Sequence, residues 1–172
     1  ERVTFSDLVQ HFLYNNSQIN LLTEFPSDTA LFSRYNKHLP LKKSQVAFIV
    51  CSQYTQEPIG YCSLYGISTW NQSAEISFMI GELGYQGRGL AKEMVKTLSE
   101  FGINKLGIVR IEAQTSEHNI ASQRILEHCG YQRIGIRHFS HIVEKIRSDD
   151  IIYEFLDLKI MPILHINKIF GN

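Results

Sequence analysis

Glycines at 81, 84, 87 and 89 precede a helix-forming stretch in the segment Gly81-Glu82-Leu83-Gly84-Tyr85-Gln86-Gly87-Arg88-Gly89-Leu90-Ala91. A chain that turns on glycines into a helix brings unpaired backbone N–H groups and the positive end of a helix dipole together, which binds phosphate. Small residues also let the main chain approach a pyrophosphate closely. The third glycine of a dinucleotide fingerprint is missing, because Gly87-x-Gly89 runs on into Leu90-Ala91-Lys92, and no Gly-Lys-Ser/Thr closes the turn as a Walker A loop would. Gln86, Gly87, Arg88, Gly89, Leu90 and Ala91 remain as a phosphate cradle of another kind, or as a tight turn. Glu75 is the only acid in the largely apolar run 73–80, and Asn119, Ser122 and Arg124 gather at a later helix start.

Those residues need elements to hold them. Residues 73–80 predict a strand that runs directly into the glycine segment, and alternation sets Glu75 on one face with Ser77 and Met79. Leu90, Met94, Val95, Leu98 and Phe101 then recur at helical spacing, with Lys92, Glu93, Lys96 and Glu100 on the other face. A strand at 108–114, a turn at 115–119 and a helix from about 120 to 129 follow, ended by Gly130 at the position after the cap. Upstream, strands at 45–53 and 59–67 flank Gln56-Glu57-Pro58 as a hairpin that would set Cys51 opposite Cys62 as reduced thiols. Downstream, 136–143 and 151–158 read as a hairpin around Arg147-Ser148-Asp149-Asp150. Residues 5–40 read as front helices, from the spacing of Phe5, Leu8, Val9, Phe12 and Leu13 and of Leu31 and Tyr35. The whole is a mixed α/β single domain over 1–172, with a core at 45–158, helices on both faces of a twisted sheet, and an apolar tail at 159–172.

Gln86, Gly89 and Ala91 fit the Gln/Arg-x-x-Gly-x-Gly/Ala loop of the GNAT superfamily, which the segment resembles. Asn119-Ile-Ala-Ser122-x-Arg124, with Gly130-Tyr131 closing the helix, is similar to the pattern of the ribosomal-protein N-terminal acetyltransferases and their relatives, and the element order from 45 to 158 agrees. The resemblance implies a fold in which the fourth and fifth strands splay apart and hold acetyl-CoA between them. Phe78, Met79 and Ile80 would bond its pantetheine through their backbones, as an added strand is bonded, and Asn119 would contact it from the other side. Gly87, Arg88 and Leu90 fall within the phosphate loop. Arg88 would meet the phosphates or sit solvated at the helix entrance, and Arg124 would do likewise or form a surface ion pair.

The implied activity is transfer of acetyl from acetyl-CoA to a primary amine. Glu75 matches the family's Ala-Glu-Ile segment and is the candidate base, acting through water; its alternative is a glutamate on a solvated face or in an ion pair. Leu126 stands where many of these enzymes carry a tyrosine acid, so that role moves to Ser122, which relatives with the Asn-x-x-Ser form are thought to use. Ser122 equally suits a bond within the first helical turn behind an Asn119 cap. The acceptor would be a protein N-terminal α-amine, or a small amine such as a polyamine, an amino-sugar nucleotide or an amino acid. A third reading is a catalytically silent module that binds acyl-CoA.

Composition narrows the remaining classes. Lys plus Arg and Asp plus Glu number 17 each, so no overall field recruits nucleic acid or a membrane surface. No stretch reaches the roughly 18 apolar residues of a membrane span, and Glu1 to Asp7 resemble neither a signal nor a transit peptide. Three cysteines without a C-x-x-C pair suggest a reducing cytoplasm. No metal site is expected, since His138 and His141 would point to opposite faces of a strand, and Cys129 reads as a buried structural thiol. Met161, Ile163, Leu164, Ile166, Ile169 and Phe170 in the tail suggest cover for a homodimer interface or for the front helices.

Overall fold

The computed structural model describes residues 19–22 and 44–160, apart from Gln53, Gln56 and Glu144. Seven strands form one sheet: β1 (Ile19–Leu22), β2 (Val46–Ser52), β3 (Pro58–Ser68), β4 (Ser73–Ile80), β5 (Arg110–Ser116), β6 (Gln132–Val143) and β7 (Ile146–Leu156), in the order β1-β2-β3-β4-β5-β7-β6. Every neighbouring pair is antiparallel except β4 and β5. That parallel pair needs a crossover, supplied by helix α1 (Leu90–Leu106). Helix α2 (Ile120–His128) follows β5. The expected mixed α/β sheet is the one observed, with both described helices on one of its faces.

The registers place Phe48, Cys62, Ile76 and Phe78, and beyond them Ala74, Ile111 and Phe155, on one face. That face packs on Leu90, Met94, Leu98 and Phe101 of α1 and Leu126 of α2, forming one continuous core. Phe48 and Phe101 meet edge to face at 5.5 Å between centroids, a favoured geometry for buried rings. Glu75, Ser77 and Met79 lie on the opposite face, as alternation requires. The helices expected within 5–40 lie largely outside the described residues, and so does the apolar tail with the dimer it suggested.

Several expectations need correction. Residues 19–22 are a strand on β2, not part of a helix; four residues are too short a run for periodicity to separate the two. Cys51 does not face Cys62. The hairpin register sets Phe48 against Cys62, and a bulge at Val50/Cys51 puts Cys51 against Pro58; both thiols are buried, with burial pushing Cys51 up to about 11. The late hairpin turns at Lys145, which has φ 71, so Arg147, Asp149 and Asp150 lie within β7. These polar residues sit in a strand because β6 bulges between Arg137 and His141. Phe139, at φ 52, gives its N–H to Asp149 Oδ1, and His138 and His141 meet Asp149 and Asp150. The strict alternation assumed for those histidines therefore fails at the bulge. Helix α1 continues past Gly102 to a left-handed cap at Gly107, because Gly102 lets the helix press against Leu64. Gly130, at φ 88, does end α2: its N–H bonds the Glu127 carbonyl and the Tyr131 N–H bonds that of Leu126. Cys129, just before it, is half-buried at the edge of the core rather than enclosed.

Gly60 in β3 is the closest approach in the sheet: a Cβ there would collide with the Met79 carbonyl oxygen on β4. Gly60→Ala is expected to cost about 3 kcal/mol. Thermal melting should show this as a fall of roughly 10 °C.

Candidate functional site

β4 and β5 are paired only from Ser73 to Glu75, against Arg110 to Glu112. Beyond Glu75 and Glu112 they part, and a cavity of about 510 Å³ opens between the end of β4, the glycine segment and the start of α2. Its walls include Phe78, Met79, Ile80, Gln86, Gly87, Gly89, Leu90 and Ala91 on one side, and Asn119, Ser122 and Arg124 on the other. Residues from Phe78 to Ile125 are thus brought to one hollow.

The glycine segment turns as phosphate loops do. Gly87 and Gly89 have φ of 75 and 81, left-handed values that a side chain disfavours, and Gly89 is the N-cap of α1. Gln86 gives its Nε2–H to the Ile80 carbonyl at 3.1 Å, tying the loop to the end of β4. No side chain caps the mouth of this 17-residue helix, and Gly87, Gly89, Leu90 and Ala91 line the cavity there, a fit for a pyrophosphate. Arg88 does not line the cavity. Its guanidinium lies 5.4 Å from the centre of the Tyr85 ring.

Backbone alternation sorts the end of β4. The Met79 carbonyl points at Gly60 of β3, so Met79's main-chain groups are turned toward β3 and those of Phe78 and Ile80 toward the gap. Met79 still lines the cavity and is 40% exposed.

On the opposite wall, Asn119 caps α2: its Oδ1 accepts from the Ser122 N–H at 3.1 Å. That uses the Ser122 amide and leaves the Ser122 hydroxyl, which lines the gap, with no partner among the described residues. The turn before it is braced by β7. Asp149 N–H donates to Glu117 Oε1 and Glu117 N–H to the Asp149 carbonyl, while Ser116 and Ser148 hydroxyls meet at 3.3 Å.

Glu75 lies outside the cavity lining, at the vertex where the strands part, on the sheet face that α1 and α2 do not cover. It accepts the Tyr65 hydroxyl at 3.0 Å. Partial burial, reinforced by that hydrogen bond and the carboxylate charge, pushes Tyr65 up to about 12. Sequence reasoning missed Tyr65, although Tyr65 stands directly opposite Glu75 in the β3–β4 register. It also missed Ile125 and Lys92, which line the cavity, Lys92 having no role in the sequence reading beyond the polar face of its helix.

A family model described as "Acetyltransferase (GNAT) domain" matches residues 2–132. The chain is 32% identical over 98 residues to an uncharacterized N-acetyltransferase p20 of Bacillus licheniformis, covering 57% of this chain and 54% of that protein. It is 32% identical over 79 residues to a probable N-acetyltransferase YjcK of Bacillus subtilis, covering 45% and 43%. The chain thus spans about half the length of the curated relatives it matches. Among solved structures it is similar to a chimera of the Vibrio cholerae spermidine N-acetyltransferase SpeG and hSSAT, with TM-score 0.69, 20% identity, and coverage of 83% of this chain and 98% of that one. It is also similar to a dodecameric spermidine N-acetyltransferase from Vibrio cholerae, with TM-score 0.64, 23% identity and 90% coverage of each chain.

Proposed function

Because the chain belongs to the family of GNAT acetyltransferase domains, we propose that it transfers the acetyl group of acetyl-CoA to a primary amine by direct attack in a ternary complex. The observation that carries this reading is the parting of β4 and β5 after Glu75, which opens a strand-edged gap ending at a left-handed glycine turn and a helix N-terminus. Acetyl-CoA supplies the activated thioester. The Gly87–Ala91 amides hold its pyrophosphate, and the gap-side main-chain groups of Phe78 and Ile80 pair with its amide-bearing arm, as a strand would. An N–H at the end of β4 faces the thioester oxygen.

Glu75 takes a proton, through water, from the acceptor's ammonium on the face opposite α1, and the neutral amine then attacks the thioester carbon as the C–S bond breaks. Tyr65 holds the Glu75 carboxylate by one oxygen. Ser122 returns a proton toward the departing sulfur. Ser122→Ala is expected to lower kcat about tenfold without changing KM for acetyl-CoA. An unchanged kcat would remove the Ser122 hydroxyl from the chemistry.

A small cationic amine is the acceptor best supported. Glu75, Glu112 and Glu154 stand in register across β4, β5 and β7 on the face opposite α1 and α2, with Arg110 paired to Glu112. Such a row suits an acceptor carrying a second positive charge. The structural relatives named above act on spermidine, and at 20 to 23% identity their likeness bears on the fold alone. A protein N-terminus is the second reading, favoured by the Asn119-x-x-Ser122-x-Arg124 pattern. An α-amine with a pKa near 7.7–8.0 also needs a base less than an alkylamine near 10.4 does.

CoA release measured with polyamines, amino sugars, amino acids and N-terminal peptides separates these. Turnover with a diamine or polyamine is expected. Turnover with peptides alone would favour the N-terminal reading, and tight acetyl-CoA binding without any release would make the chain an acyl-CoA-binding module.

A further inference from the structure

Lys92, in the first turn of α1, borders two cavities. One is the strand gap; the other is a hollow of about 350 Å³ between α1 and the end of α2, walled also by Lys96, His128, Cys129 and Phe155. Arg88, Lys92 and Lys96 recur every four residues along one line of α1, and Arg124 and His128 do so on α2. All five are exposed, and none takes part in an ion pair among the described residues. His128 donates Nδ1–H to the Arg124 carbonyl at 2.6 Å, which turns its other ring nitrogen away from the helix. The one carboxylate on the wall, Glu100, stands a further turn along α1, at the end away from the gap.

We infer that this hollow receives the 3′-phosphate of coenzyme A, so that the chain distinguishes acetyl-CoA from its 3′-dephospho form. The inference rests on the cofactor reading above. With the pyrophosphate on the Gly87–Gly89 amides and the acyl arm in the gap, the nucleotide reaches the second hollow past Lys92, the one residue that lines both cavities. Lys96 lies about 6 Å further along the helix axis, four residues at 1.5 Å each, comparable with the span of a ribose. A phosphate dianion there meets Lys96 and Lys92, and His128 when protonated. Glu100 closes the far end by repulsion, which fixes the phosphate near the gap rather than deeper along α1.

Titration calorimetry of acetyl-CoA and 3′-dephospho-acetyl-CoA into the full chain tests this, with Lys96→Ala, Lys96→Arg and Glu100→Gln alongside. The native chain should bind acetyl-CoA about tenfold tighter than the dephospho form, since a charge-assisted contact is of that order. Lys96→Ala should lose most of that preference by weakening acetyl-CoA alone, Lys96→Arg should restore it, and Glu100→Gln should widen it. Equal affinity of the native chain for both ligands would overturn the phosphate site while leaving the strand gap as the cofactor site. An equal loss for both ligands in Lys96→Ala would overturn it too, by making Lys96 structural. Failure of either ligand to bind the native chain would overturn the inference together with the cofactor reading.

Discussion

Glu75→Gln is expected to lower kcat about 10²- to 10³-fold at neutral pH while leaving the affinity for acetyl-CoA unchanged. The substitution keeps the shape of the side chain, and the glutamine oxygen can still accept the Tyr65 hydroxyl that Glu75 accepts at 3.0 Å. What it removes is a group that can take a proton. The pH profile carries the argument further. An alkylamine with a pKa near 10.4 is only about one part in a thousand neutral at pH 7.4, so without a base the rate should rise about tenfold per pH unit until the amine ionises by itself. The deficit of the variant should therefore shrink steadily from pH 7 to pH 10. Tyr65 does not confuse the measurement, because its hydroxyl is pushed up to about 12 and stays a donor throughout. Profiles of kcat/KM that run parallel for native and variant chains would remove Glu75 from the chemistry. It would then be a carboxylate that orders the vertex of the sheet.

The position of Glu75 also shows what a sequence can carry. Period-two alternation was enough to set Glu75, Ser77 and Met79 on one face, and helical spacing marked Leu90, Met94, Leu98 and Phe101 as core, because each signal is local and repeats. The cavity that joins the end of β4 to the start of α2 was legible for a different reason. A glycine turn before one helix and an Asn119 cap before the next are terminus signals, and parallel strands bring the ends of successive helices together. Pairing register was not legible. The turn between β2 and β3 sets Phe48, not Cys51, opposite Cys62, and the bulge at Val50/Cys51 then slips Cys51 by one residue to Pro58; nothing in the composition of β2 announces either. The β6 bulge escaped in the same way. Its cause is a set of tertiary contacts, the Asp149 carboxylate with the Phe139 N–H and His138, which hold Asp149 below the usual carboxylate range and repay the loss of ladder bonds. Tyr65 was missed because finding it requires that register, whereas Glu75 needed only its own strand.

Gly89→Glu should abolish acetyl-CoA binding with the fold intact. No atom lies within 4 Å of a Cβ built at Gly89, so the side chain has room. The backbone at φ 81 adds a left-handed strain of about 1 kcal/mol, a fall in melting temperature of roughly 3 °C. The carboxylate would stand at the mouth of α1, where the proposed pyrophosphate must sit, and would replace attraction by repulsion. For the native chain, acetyl-CoA at one hundred times its Kd should add about 2.7 kcal/mol of stability, read as a rise of about 5–10 °C. The variant should show none. Gly89→Ala separates the two effects, since it carries the strain without the charge and should keep most of the rise. A native chain that gains nothing from acetyl-CoA would reduce the glycine segment to a turn between β4 and α1. An equal gain in native and Gly89→Glu chains would move the phosphates elsewhere along the helix.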